Sequence, residues 1–151
     1  MCIVDMQNTS GRLYVVGVGP GDHDHMTFRA KQVIEESEII VGYETYVSLI
    51  EDLIQGKEVY RYPMTQEVDR ANQAIEFAER GRIVSLVSSG DPGIYGMVGL
   101  IYEILADKKW KQNDGIYVEC VPGVSSLNSC SALVGSPLMT DFAVVSMSDL
   151  L

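Results

Sequence analysis

Cysteine is scarce in this 151-residue chain: Cys2, Cys120 and Cys130, in no C-x-x-C pairing. An odd count without paired spacing argues against a disulfide framework and makes the cytoplasm the default location. Long apolar runs are missing as well. Ile39-Ile40-Val41 and Ile83-Val84 are typical in length, far below the roughly 18–20 residues of a membrane span. The opening residues, MCIVDMQNTSGR, lack a basic segment followed by an apolar one, so no signal peptide is indicated. Residues 1–11 read instead as a disordered or irregular leader. Basic charge is short too, with 11 Lys+Arg against 21 Asp+Glu, a formal net charge of −10. Nucleic-acid binding runs on phosphate neutralisation and counterion release, so an acidic surface argues against a nucleic-acid partner, and it repels anionic membranes. There are no repeats and no low-complexity stretches.

What is present is an ordinary globular composition, 46% hydrophobic and 21% charged, with a regular alternation of strand-like and helix-like segments. Arg12–Gly17 reads as a buried strand. Thr27 caps a helix with Ala30, Val33, Ile34 and Ser37 inward. Ile39–Val41 is a short strand, and Tyr46, Leu49, Ile50 and Leu53 give a second helical stripe ended by Gly56. Glu58–Tyr60 is a weak strand. Val68, Ala71, Ala74, Ile75 and Ala78 mark an amphipathic helix closed by Gly81. Arg82–Val87 is the strongest strand, Val98, Ile101, Tyr102 and Leu105 a further helix, and Ile116–Val121 a strand. Ser125–Leu133 reads as a helix, and Phe142–Val145 as a final apolar run. Strand and helix in turn predict an α/β domain with a mostly parallel sheet flanked by helices.

Three strands end in loops rich in glycine, proline and serine: GVGPGD (Gly17–Asp22), SSGDPGIYG (Ser88–Gly96) and PGVSS (Pro122–Ser126). A parallel sheet carries all three to one edge, where α/β proteins bind small ligands. GVGPGD fails as a phosphate cradle. Asp22 stands where the dinucleotide fingerprint has its third glycine. Pro20 removes a backbone donor, Asp22 repels phosphate, and no Lys-Ser/Thr pair follows. An uncharged or cationic ligand suits this edge better.

With these loops in order, the chain resembles the tetrapyrrole methylases, the family of the cobalamin and sirohaem pathways that uses S-adenosylmethionine. GVGPGD with Met26-Thr27-x-x-Ala30 matches its opening motif, and SSGDPGIYGM and PGVSSLNSCSALVGSPL match the next two. Gly42-Tyr43-x-x-Tyr46 and Met64-x-x-Glu67-x-x-Arg70 are most similar to the branch that methylates carbon 17 of precorrin-3B or cobalt-precorrin-3 with ring contraction. Other corrin positions, and a non-catalytic ligand-binding half-domain, are the alternatives.

The resemblance implies the N-terminal domain of the methylase fold at residues 12–140. Residues 141–151 would open a linker towards a second domain, and the molecule would be a homodimer. It also implies cofactor contacts at Pro20, Ser89, Gly90, Asp91, Ile94, Ser125 and Ser126. As turn formers, Ser89 to Gly93 are equally a plain turn, and Ser125 or Ser126 equally a helix N-cap. Methyl transfer from a sulfonium leaves one proton to manage. Glu44 and Asp22 are the catalytic candidates; the first reads equally as a surface carboxylate, the second as a brace for its own loop. Asp91 is a further carboxylate at the same edge. Lys31, Arg61 and Arg70 are candidates for meeting substrate carboxylates, or else solvated charges. His23 and His25 read as exposed, and no metal site is expected.

Overall fold

The computed structural model describes residues 11–112 and 115–145. Among these, five parallel strands form one sheet: β1 (Arg12–Gly17), β2 (Ile39–Tyr43), β3 (Glu58–Tyr62), β4 (Ile83–Ser88) and β5 (Tyr117–Val121), in the order β3-β2-β4-β1-β5. The helices are α1 (Phe28–Glu36), α2 (Glu44–Ser48), α3 (Glu67–Glu79), α4 (Val98–Asp107) and α5 (Ser126–Leu133).

The period-two alternation of strand side chains sorts the core into two layers. Leu13, Val15, Ile39, Val41, Val84, Leu86 and Val118 face Ala71, Ala74, Ile75 and Ala78 of α3 and Ile101 and Leu105 of α4. On the other face Tyr14, Val16, Ile40, Val87 and Val121 pack against Ala30, Val33 and Ile34 of α1 and Val47 of α2. Helices on both faces bury the interior strand β1 from Leu13 onwards, so it reads as a continuous apolar run. One polar pair crosses the core: Ser37 Oγ donates to the Val33 carbonyl at 2.7 Å and meets Ser85 Oγ at 2.8 Å.

Local chemistry sets the element ends. Thr27 Oγ1 accepts from Ala30 N at 3.2 Å and caps α1, and Gly56 and Gly81 stand at positive φ after the second and third helical segments. Some expected helix faces are corrected, Tyr102 of α4 being exposed. The second helical segment is regular only over Glu44–Ser48. Leu49 N and Ile50 N then bond three residues back, to Tyr46 O and Val47 O. With the 3.6 period lost, Val47, Ile50 and Ile54 are buried while Leu49 is exposed. In α3 the inward arc runs through residues 70, 71, 74, 75, 77 and 78; Val68 lies about 100° from its centre and is exposed, with Arg70 buried in the same first turn.

Gly11, expected in the leader, belongs to the packed body. Its carbonyl accepts from Tyr117 N at 2.9 Å, and a Cβ there would lie 2.9 Å from the Arg82 carbonyl oxygen. Residues 1–10 of that expected leader and 146–151 of the expected linker lie outside the described residues. Phe142–Val145 forms no strand and is exposed.

Candidate functional site

The sheet order creates one crevice. After β1 the chain crosses to β2 on one side, and after β4 it crosses to β5 on the other. The connections after the neighbouring strands β1 and β4 therefore run in opposite directions and on opposite faces of the sheet, α1 on one and α4 on the other. This marks the topological switch point where open α/β sheets bind ligands.

Glycine holds the three loops together there. A Cβ on Gly17 would lie 2.7 Å from Pro92 Cδ and 2.8 Å from Gly123 N, and one on Gly19 would lie 2.6 Å from Gly90 N. Backbone therefore meets backbone where side chains cannot fit. Gly19 N donates to the Gly90 carbonyl at 3.1 Å. Asp91 fastens the other pair: its Oδ1 accepts from Gly93 N at 2.8 Å and its Oδ2 from Gly123 N at 3.2 Å. Gly17 and Gly19 of the first loop serve loop-to-loop packing.

Above this junction lies a cavity of about 740 Å³, within the range of small-molecule sites. Pro20 from the first loop, Ser89, Gly90, Asp91 and Ile94 from the second, and Ser125 and Ser126 from the third all line it. Among the described residues its lining contains one carboxylate and no Lys, Arg or His, a donor set that suits a neutral or cationic ligand rather than a polyphosphate. Ser125 is buried at the N-cap position of α5, but its hydroxyl donates to Asn128 Oδ1 at 3.1 Å and makes no side-chain cap bond.

The remaining candidates fall elsewhere. Asp22 lies outside the lining and accepts from His25 N at 3.0 Å and His25 Nδ1 at 2.6 Å. This hydrogen bond holds the Asp22 carboxyl below, and the His25 imidazole above, their ordinary values. Glu44 is the exposed first residue of α2, also outside the lining, and its carbonyl accepts from Ser48 Oγ at 2.9 Å. His23 Nε2 lies 3.2 Å from Asp52. Lys31 is exposed on α1, and Arg61 pairs with Glu51 at 2.7 Å. Arg70 is buried on the opposite face of the sheet from α1, so these three cations form no common patch.

Tyr95 escaped the sequence reading. It lines the cavity with a positive φ of 51°, and its hydroxyl donates to the Val144 carbonyl at 3.2 Å. A bulky residue in the left-handed region is uncommon, and nothing in the sequence distinguishes it from an ordinary loop tyrosine.

A doubly wound parallel sheet whose switch-point cavity carries one carboxylate has the architecture of the α/β small-molecule-binding domains. More particularly, the chain belongs to the family of Tetrapyrrole (Corrin/Porphyrin) Methylases, whose model matches residues 12–150. It is 42% identical over 139 residues to the "Probable cobalt-factor III C(17)-methyltransferase" of Salmonella typhimurium, covering 92% of this chain and 56% of that protein. The crystal structure of the methyltransferase CobJ superposes with a TM-score of 0.84 at 35% identity, over 93% of this chain and 57% of CobJ. Uroporphyrin-III C-methyl transferase from Thermus thermophilus, complexed with S-adenosyl homocysteine, is similar at a TM-score of 0.61 and 27% identity, over 87% of this chain and 54% of that one. The chain thus spans little more than half the length of these relatives.

Proposed function

We propose that this chain forms the N-terminal half of an S-adenosylmethionine-dependent methyltransferase. Its reaction is methylation of carbon 17 of precorrin-3B or cobalt-precorrin-3 with ring contraction, in cobalamin biosynthesis. The observation that carries this reading is the convergence of Pro20, Ser89, Gly90, Asp91, Ile94, Ser125 and Ser126 on one cavity. Its volume, close backbone approach and single carboxylate suit a sulfonium with a zwitterionic amino-acid end. The relative's name supports carbon 17 over other positions, and the bound S-adenosyl homocysteine in the Thermus enzyme supports the cofactor. We assign residues 12–140 to the methylase domain and 141–151 to a linker leading into a second domain. We further assign the molecule to the cytoplasm, for which the free Cys120 and Cys130 speak, and to a homodimer, for which the exposed Leu133, Val134 and Met139 speak.

Bound in the cavity, S-adenosylmethionine supplies an electrophilic methyl group on a positively charged sulfur. The protein's task is to hold the acceptor carbon in line and to keep water out. Asp91 has both oxygens engaged by loop amides, so it fixes the cavity wall and places negative charge beside it. Of the two proton-handling candidates, Asp22 is committed to His25 and Glu44 is the freer.

Isothermal titration of the chain with S-adenosylhomocysteine tests the reading. The expected outcome is saturable 1:1 binding. If the isolated half-site is too weak, a chain extended through its second domain must bind. Silence from both sinks the assignment.

A further inference from the structure

Arg70 is the buried charge that the fold leaves least satisfied. Its side chain is 5% exposed, and Nε is buried with no hydrogen-bond partner. One terminal nitrogen reaches the Pro63 carbonyl at 3.5 Å, the edge of a hydrogen bond; the other reaches Met97 Sδ at 3.3 Å, a weak acceptor. The nearest carboxylate, half-exposed Glu67, stays 3.8 Å away. Burial lowers the Arg70 pKa against the pull of Glu67, yet a guanidinium stays charged. A buried cation so poorly paired costs stability, and charges perturbed by burial cluster at functional sites.

The surroundings say which ligand. Arg70 lines a second cavity of about 170 Å³, bounded also by Tyr46, Glu67 and Ser88. Ser89, Ile94 and Tyr95 line both this cavity and the large one. The space is far too small for a tetrapyrrole ring but holds a carboxylate arm. The planar guanidinium fork matches a carboxylate bidentately. The chain carries a net charge of −10, so a polycarboxylate needs such a local cation.

We infer that Arg70 binds a peripheral carboxylate of the tetrapyrrole in this side cavity and so holds the ring against the methyl donor's cavity. The inference rests on the reading that the large cavity holds the donor. The other carboxylate within reach is the donor's own amino-acid end, and the test separates the two.

The chain and its Arg70→Met and Arg70→Lys variants are titrated with S-adenosylhomocysteine by calorimetry and with uroporphyrin III, an octacarboxylate, by Soret absorbance. Arg70→Met should bind S-adenosylhomocysteine within about twofold of the parent and uroporphyrin III at least tenfold more weakly. The Lys variant should fall between, because a point charge loses the fork. Arg70→Met should also melt no lower than the parent, since it removes an ill-paired buried charge. Unchanged porphyrin affinity in Arg70→Met, or no porphyrin binding by the parent, overturns the inference. So does loss of S-adenosylhomocysteine affinity in the variant, which would give Arg70 to the donor. A parent that binds porphyrin, while neither it nor the chain extended through its second domain binds S-adenosylhomocysteine, overturns the donor-site reading instead. Should Arg70→Met not fold, the Arg70 Nε–H resonance of the parent decides: it must move on adding uroporphyrin III, and a stationary signal refutes the contact.

Discussion

Asp91 shows how one side chain links loop architecture to ligand binding. Its two oxygens brace the second loop internally and bind it to the third. Asp91→Ala leaves two backbone amides without their charged acceptor, at about 1–3 kcal/mol. The variant should melt lower and bind S-adenosylhomocysteine at least tenfold more weakly, read by calorimetry. Asp91→Asn keeps one acceptor and should fall between; a variant with undiminished affinity would take Asp91 out of the site. Cys130, exposed at the cavity wall, offers a check that needs no mutation. S-Adenosylhomocysteine should slow its alkylation by iodoacetamide, followed by peptide mass spectrometry, while Cys120, outside the lining, keeps its rate. At this scale much was legible in the sequence, because glycine, proline and serine advertise loop geometry. What escaped was conformational or environmental. The positive φ of Tyr95 and the burial of Arg70 depend on neighbours far along the chain, and neither residue type signals them.

Elements were legible where burial is two-sided and blurred where it is partial. Strand β1 carries its apolar run because helices cover both faces, and α1 carries its cap in Thr27. The second helical segment misled because its regular turn ends at Ser48, and Val68 misled because it sits on the flank of the α3 arc. Long-range ion pairs between elements were invisible. Arg29 of α1 holds Glu119 of β5 through two bonds of 2.8 and 2.7 Å, and Glu38 accepts from Ile83 N at 2.9 Å and Arg82 Nε at 3.1 Å. Hydrogen bonding from Arg29 keeps the Glu119 pKa below its ordinary value, and the Ile83 amide does the same for Glu38. A depressed folded-state pKa gives stability that is present above the unfolded value, about 4.3 for Glu, and lost as pH falls through the depressed one. The melting temperature should therefore hold from neutrality to about pH 5 and drop below about pH 4.3. Glu119→Gln, lacking one of these carboxylates, should melt lower at pH 7 and lose less on acidification. Parallel pH curves for parent and variant would refute the assignment.

For the molecule as a whole, the question is which ligand class a glycine-looped parallel sheet selects. Net charge of −10, Asp91 in the lining and no cation among its described residues all oppose a polyphosphate. Gly17 and Gly19 of the first loop are occupied by packing against the second and third loops. A ligand that binds only the folded state stabilises it by about 2.7 kcal/mol at one hundred times its Kd. For a domain of this size each kcal/mol is worth roughly 2–4 °C. Saturating S-adenosylhomocysteine should thus raise the melting temperature by about 5–10 °C, while ADP and NAD at the same concentration leave it unmoved. A larger shift with either nucleotide would mean that the glycine loops cradle phosphate after all, and that the negative charge at this sheet edge is outweighed by the loops' backbone amides. No shift with S-adenosylhomocysteine, despite binding in calorimetry, would place the ligand on a surface present in the unfolded chain. The three-way comparison thus weighs the acidic field of the whole molecule directly against the local geometry of its loops.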